Sequence, residues 1–192
     1  MRRFSMRPAI TVRGRSFKGL RGWAGKPSHP PLTDIPIAAY VLVAVFDVIS
    51  VIAGDGHDAA RDLWRGGTYV LVGGAAVAVL AAMTGFVDRL RSTDPGTQVR
   101  RTANTHAAIM VSATVLVVVE IVLRLSRLDE HASTPVGVMV LSLVIAVLVV
   151  WGATYGGSLV FDYGFNVETA TDSPVWHASE TDVMPGHKGE GA

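Results

Sequence analysis

A few ionisable side chains stand inside, or at the edge of, stretches that are otherwise free of charge. His29 and Asp34 enter the first apolar stretch, Asp88 leaves the second, and His106 lies just inside the third. Tyr155, Ser158 and Asp162 close the fourth. Two imidazoles reaching one level from different segments form the arrangement that a bis-histidine haem or a metal site uses. Two histidines without a third ligand also fit hydrogen-bonded structural roles or contact with a quinone. His29, His106, Asp34 and Asp88 are therefore the candidate cofactor-binding residues. For the two aspartates the alternative is capping and interfacial solvation, with Asp34 as cap and Pro36 near the first turn.

A second polar layer lies deeper. Asp47 follows Asp34 by 13 residues and Glu120 follows His106 by 14. At helical rise both steps amount to about 20 Å, which puts the two carboxylates at similar depth. Glu120 and Arg124 are spaced to pair on one helix face. Each ionisable group in a bilayer costs about 2.5–3.5 kcal/mol or more unless paired, so Asp47, Glu120 and Arg124 need a reason to be there. They form either a hydrogen-bonded clamp between the first and third segments or a relay for protons or ions.

The elements that carry these residues are apolar and long. Of the 192 residues, 49% are hydrophobic and 17% charged. A helix needs about 20 mostly apolar residues to cross a bilayer. Residues 35–54, 67–87, 105–123 and 136–157 meet or approach that length. The expected fold is all-α, a polytopic membrane protein with four transmembrane helices in a compact bundle. A basic arm (1–28) precedes the membrane domain (29–167), and a mildly acidic, Pro- and Gly-punctuated tail (168–192) follows it. Both termini are expected to be flexible; the arm can also lie on anionic headgroups, anchored by Phe4, Phe17 and Trp23.

Lys and Arg set the expected orientation, because they accumulate on the cytoplasmic side. Eight of them precede Asp34, and Arg89, Arg91, Arg100 and Arg101 sit between the second and third segments. With both termini in the cytoplasm, thirteen of the seventeen basic residues fall on that side. The same rule accounts for the arginine-rich start better than a transit peptide does, and no apolar run there resembles a secretory signal. Small residues recur at helix-packing spacing: Gly74, Ala78 and Ala82, Ala81 with Gly85, and Gly152 with Gly156. They imply close contact within the bundle or a homo-oligomer face. No internal repeat is evident in the sequence.

Several chemistries are absent. The chain has no cysteine, which removes disulfides, iron–sulfur ligation and covalent haem attachment. No phosphate loop, zinc-protease motif or nucleophile elbow occurs, so the chain does not read as an enzyme on its own. Its basic residues flank apolar segments and argue for topology rather than nucleic-acid binding. His57, His131, His177 and His187 fall in links or the tail.

Gly25-Lys26-Pro27-Ser28-His29-Pro30, Thr33-Asp34-Ile35-Pro36-Ile37 and Asp47 open a series of short motifs. Thr84-Gly85-Phe86-Val87-Asp88, Arg100-Arg101 and His106 continue it. Gly156-Gly157-Ser158-Leu159-Val160-Phe161 and Tyr163-Gly164-Phe165-Asn166-Val167 close it. In this order and spacing the chain resembles the bacterial integral membrane protein family known as domain of unknown function 2231. The resemblance implies a multi-pass protein of the bacterial cytoplasmic (inner) membrane. Some relatives resemble fusions to a Rieske-type domain or neighbours of redox proteins, which implies electron transfer. Ala38 and Ser158 depart from the family pattern, where Gly and often Glu or His stand.

Three functions are therefore open. The chain is a redox-associated membrane subunit holding b-type haem or quinone, or docking a redox partner. Alternatively, it conducts protons or a small solute through the Asp47/Glu120/Arg124 layer. As a third alternative, it is a structural or assembly subunit of a membrane complex, with the arm and tail as docking elements.

Overall fold

Prolines start the first helix. Pro30 and Pro31 occupy its first turn, where a missing N–H is tolerated, and α1 runs His29–Ala53. The computed structural model describes residues 19–20 and 27–167. The basic arm with Phe4, Phe17 and Trp23, and the tail from 168 onward, lie outside the described residues. Gly54 ends α1 at a φ of 75°, a left-handed conformation suited to glycine, and its N–H returns to the Ser50 carbonyl at 3.1 Å.

α2 (Asp58–Ser92) is the longest helix, with Asp58 in its first turn and Arg89 and Arg91 in its last, as the helix dipole favours. The next link turns at Gly96, with a φ of 83°. Thr97 then caps α3 (Gln98–Ser126) by accepting from the Arg100 N–H at 3.3 Å. Arg100 also grips the end of α2 through the Arg89 carbonyl at 2.7 Å and the Thr93 hydroxyl at 2.8 Å. Pro135 precedes α4 (Val136–Phe161).

Each helix is long and apolar enough to cross a membrane, with mean hydropathy of 2.2–2.7 over its best window. The outward faces are apolar too. Ile52, Val147 and Phe161 are 79%, 67% and 88% exposed, a surface that suits lipid. The helices extend past the apolar stretches, most of all in α2, which begins at Asp58 rather than at 67. Their ends are set by Gly54, Gly96 and Pro135 rather than by hydropathy. Asp34 does not cap α1: the helix starts at His29, so Asp34 and Pro36 both lie inside it.

In space α1 packs on α2 and α4, and α3 packs on the same two, so α1 faces α3 across a diagonal. The inward stripe of α2 passes through Ala60, Trp64, Gly67, Leu71, Gly74, Ala81 and Asp88. Steps of three and four are the seam of an antiparallel bundle. Tyr40, Val43, Leu71, Ala113, Val117, Ile145 and Val149 fill the middle.

The small residues bring helices together inside this bundle. A Cβ on Gly74 would meet that of Ala39 at 2.7 Å, and one on Gly152 would meet Met110 Sδ at 2.6 Å. Ala78 packs beside the same core. Ala82, by contrast, is exposed, because the stripe advances from Ala78 to Ala81 by three rather than by four.

Candidate functional site

Polar side chains gather at both ends of the diagonal between α1 and α3. At the end where these helices begin, His29 and His106 face each other with ring centroids 6.5 Å apart and ring planes at 85°. His29 Nδ1 lies 2.8 Å from the Ala81 carbonyl of α2. His106 Nδ1 lies 2.9 Å from the Gly152 carbonyl of α4. A carbonyl only accepts, so the neutral rings carry their hydrogen on Nδ1 and their lone pair on Nε2.

The device is built twice. Four residues after each accepting carbonyl stands a glycine, Gly85 on α2 and Gly156 on α4, and each faces the corresponding imidazole. A Cβ on Gly85 would meet three ring atoms of His29 at 2.5–3.0 Å. One on Gly156 would meet His106 at 3.4 Å and 3.6 Å. The pairs α1–α2 and α3–α4 thus present equivalent histidines from opposite sides, a correspondence that the sequence does not advertise.

The other candidates of this layer do different work. Asp88 is buried, and its Oδ1 accepts the Leu20 N–H at 2.7 Å. Ser28 donates from its backbone N–H to the Leu20 carbonyl at 3.0 Å. Asp88 thereby straps residues 19–20 beside the start of α1. Asp34 is exposed and joins neither histidine. Tyr155 and Ser158 are half-buried, and Asp162 is exposed.

At the opposite end Asp47, Glu120 and Arg124 come together with no exposure at all. Arg124 Nε donates to Glu120 Oε1 at 2.7 Å, and its Nη2 pairs with Asp47 as well as with Glu120. Thr134, just before α4, donates to Asp47 Oδ1 at 3.0 Å. The Thr134 N–H bonds Ser50 Oγ at 2.9 Å, and that hydroxyl donates to the Ala60 carbonyl at 2.8 Å. The Trp64 ring lies under the guanidinium at 4.8 Å and donates from Nε1 to the Leu128 carbonyl at 3.1 Å. His131 meets the same indole edge-on at 5.7 Å, so it is more than a link residue.

Sequence reasoning placed the three charged residues but missed Trp64, Ser50 and Thr134. Only their polar handles beside short links hinted at them.

The family described as Predicted membrane protein (DUF2231) matches residues 25–169, which covers all four helices. This chain belongs to the DUF2231 family. Both the histidine pair and the carboxylate–arginine cluster lie within the matched residues. No curated protein and no solved structure matches the chain.

Proposed function

We propose that this DUF2231 protein is a redox-associated membrane subunit that holds a b-type haem between His29 and His106. The observation that carries this is the anchoring of both imidazoles through Nδ1, which leaves two Nε2 lone pairs and no free ring N–H. A quinone carbonyl needs a donor, and neutral rings held in this way offer none. Two lone pairs call instead for a metal centre, and donation of the other ring N–H to a backbone carbonyl is how ligating histidines are oriented.

The size of the donor set narrows the choice. Among the described residues no group of three or more His, Cys, Asp or Glu could hold a bare metal ion. A structural zinc takes four protein ligands and a catalytic one three. Haem iron brings its own equatorial ligands and takes axial ones from the protein. Bundle cores commonly build such sites from facing helices.

In this reading His29 and His106 would hold the haem through their Nε2 atoms. Ala81 and Gly152 fix the ring orientation and tautomer, and Gly85 and Gly156 leave room for the rings. A haem so held supplies one-electron transfer. The Lys and Arg distribution supports a cytoplasmic position for this end, at a bacterial inner membrane, where a separate redox partner would dock.

The test is expression in a haem-replete bacterial host, purification in mild detergent, and spectra before and after dithionite. A Soret band and a reduced α-band are expected, with haem near one per chain. Both His29→Ala and His106→Ala should lose the reduced α-band. A featureless visible spectrum of the folded native protein overturns the assignment.

A further inference from the structure

We propose that the buried Asp47–Glu120–Arg124 cluster is a reversible proton-binding site, with Glu120 as the carboxyl that takes the proton. Two carboxylates face one guanidinium, and all three side chains are 0% exposed. Fully ionised, the cluster holds one uncompensated negative charge in the membrane domain, an arrangement whose cost a single proton removes.

The geometry points to the acceptor. Asp47 is engaged through both oxygens, with Arg124 on Oδ2 and Thr134 on Oδ1. Glu120 uses only Oε1, and its buried Oε2 has no hydrogen-bond partner. A lone pair on a buried, unpartnered carboxylate oxygen is where an added proton settles. A metal cation fits less well, because the Arg124 guanidinium already stands against both carboxylates and its like charge repels a second cation.

Arg124 Nη1, like Glu120 Oε2, is buried without a hydrogen-bond partner. α1 brings Asp47, with Tyr40 one heptad earlier on the same stripe; its buried hydroxyl also lacks a partner. α2 offers Trp64 and Gly67, neither of which ionises here. α3 supplies Glu120 and Arg124, and Thr134 stands at the entry to α4. His131 meets the indole edge-on at 5.7 Å.

A way in exists at this end of the bundle. A surface depression is lined by Asp55, Glu130, His131, Ser133 and Thr134. Thr134 lines this depression and also hydrogen-bonds Asp47, so a single residue stands between the depression and the cluster. The proton arrives from water or hydronium at that mouth, binds the Glu120 Oε2 lone pair, and leaves by the same route. No other bond changes. This site is independent of the histidine pair and stands or falls without it.

The experiment is infrared difference spectroscopy of the protein in lipid nanodiscs between mildly alkaline and mildly acidic pH. A protonated-carboxyl band that titrates with pH and disappears in Glu120→Gln is expected. Asp47→Asn should shift its midpoint to lower pH, since Arg124 then balances Glu120 alone. Thr134→Val should slow its appearance after a pH jump by tenfold or more while leaving the endpoint intact. Thermal melting verifies that each variant is folded. A band that survives in folded Glu120→Gln, or one that never changes with pH, overturns the proposal.

Discussion

Replacing Arg124 with methionine is expected to remove about 3–5 kcal/mol of stability, the cost of leaving a buried charge without its partner. Whole domains are stable by only about 5–15 kcal/mol, so the variant should melt far below the native protein or fail to accumulate. The guanidinium touches Asp47 and Glu120 and lies over Trp64, so one substitution unsettles contacts from α1, α2 and α3. Removing all three charges together (Asp47→Asn, Glu120→Gln and Arg124→Met) should restore most of the loss, because no charge is then stranded. Thermal unfolding in one detergent compares the three proteins. A native-like melting temperature for Arg124→Met alone would show that the cluster does not hold the bundle together.

If the proposed haem sits at the histidine end, Gly85→Ala should lose it, while Gly156→Ala should retain it. The new methyl on Gly85 would press on three His29 ring atoms at 2.5–3.0 Å. The imidazole must then swing away from the Ala81 carbonyl, which costs about 1–3 kcal/mol of overpacking and moves a ligand. On Gly156 the same methyl meets His106 at 3.4 Å or more, an ordinary contact. Haem content of the two purified variants is the readout. Full haem content in Gly85→Ala would mean that ring packing on this glycine does not orient the ligand.

Much of the bundle was legible because its determinants are local. Apolar runs mark the helices, and counting residues from His106 to Glu120, or from Glu120 to Arg124, gives depth and face directly. Those counts put Asp47, Glu120 and Arg124 at one depth, and the structure brings the three side chains into contact. Depth without angle misled at Asp34, which shares a level with the histidines but lies five residues past His29. That is about 140° around the helix, and its side chain faces outward. The same neglect of angle put Ala82 on the packing face.

Other parts carried no sequence signal. The anchors of His29 and His106 are the backbone carbonyls of Ala81 and Gly152, groups that every residue possesses. Trp64 and Thr134 flank short links, where an aromatic or a hydroxyl reads as interfacial decoration. Only the folded links bring them onto Arg124 and Asp47. The repeated His–carbonyl–glycine device was invisible because it joins helices rather than neighbours in sequence.

The most direct test of the account is low-temperature electron paramagnetic resonance of the oxidised, haem-loaded protein. Axial ligation by His29 and His106 predicts a low-spin ferric signal of bis-imidazole type, which gives way to a high-spin signal in His106→Ala. A low-spin signal unchanged in both His29→Ala and His106→Ala would place the ligands elsewhere and contradict the account.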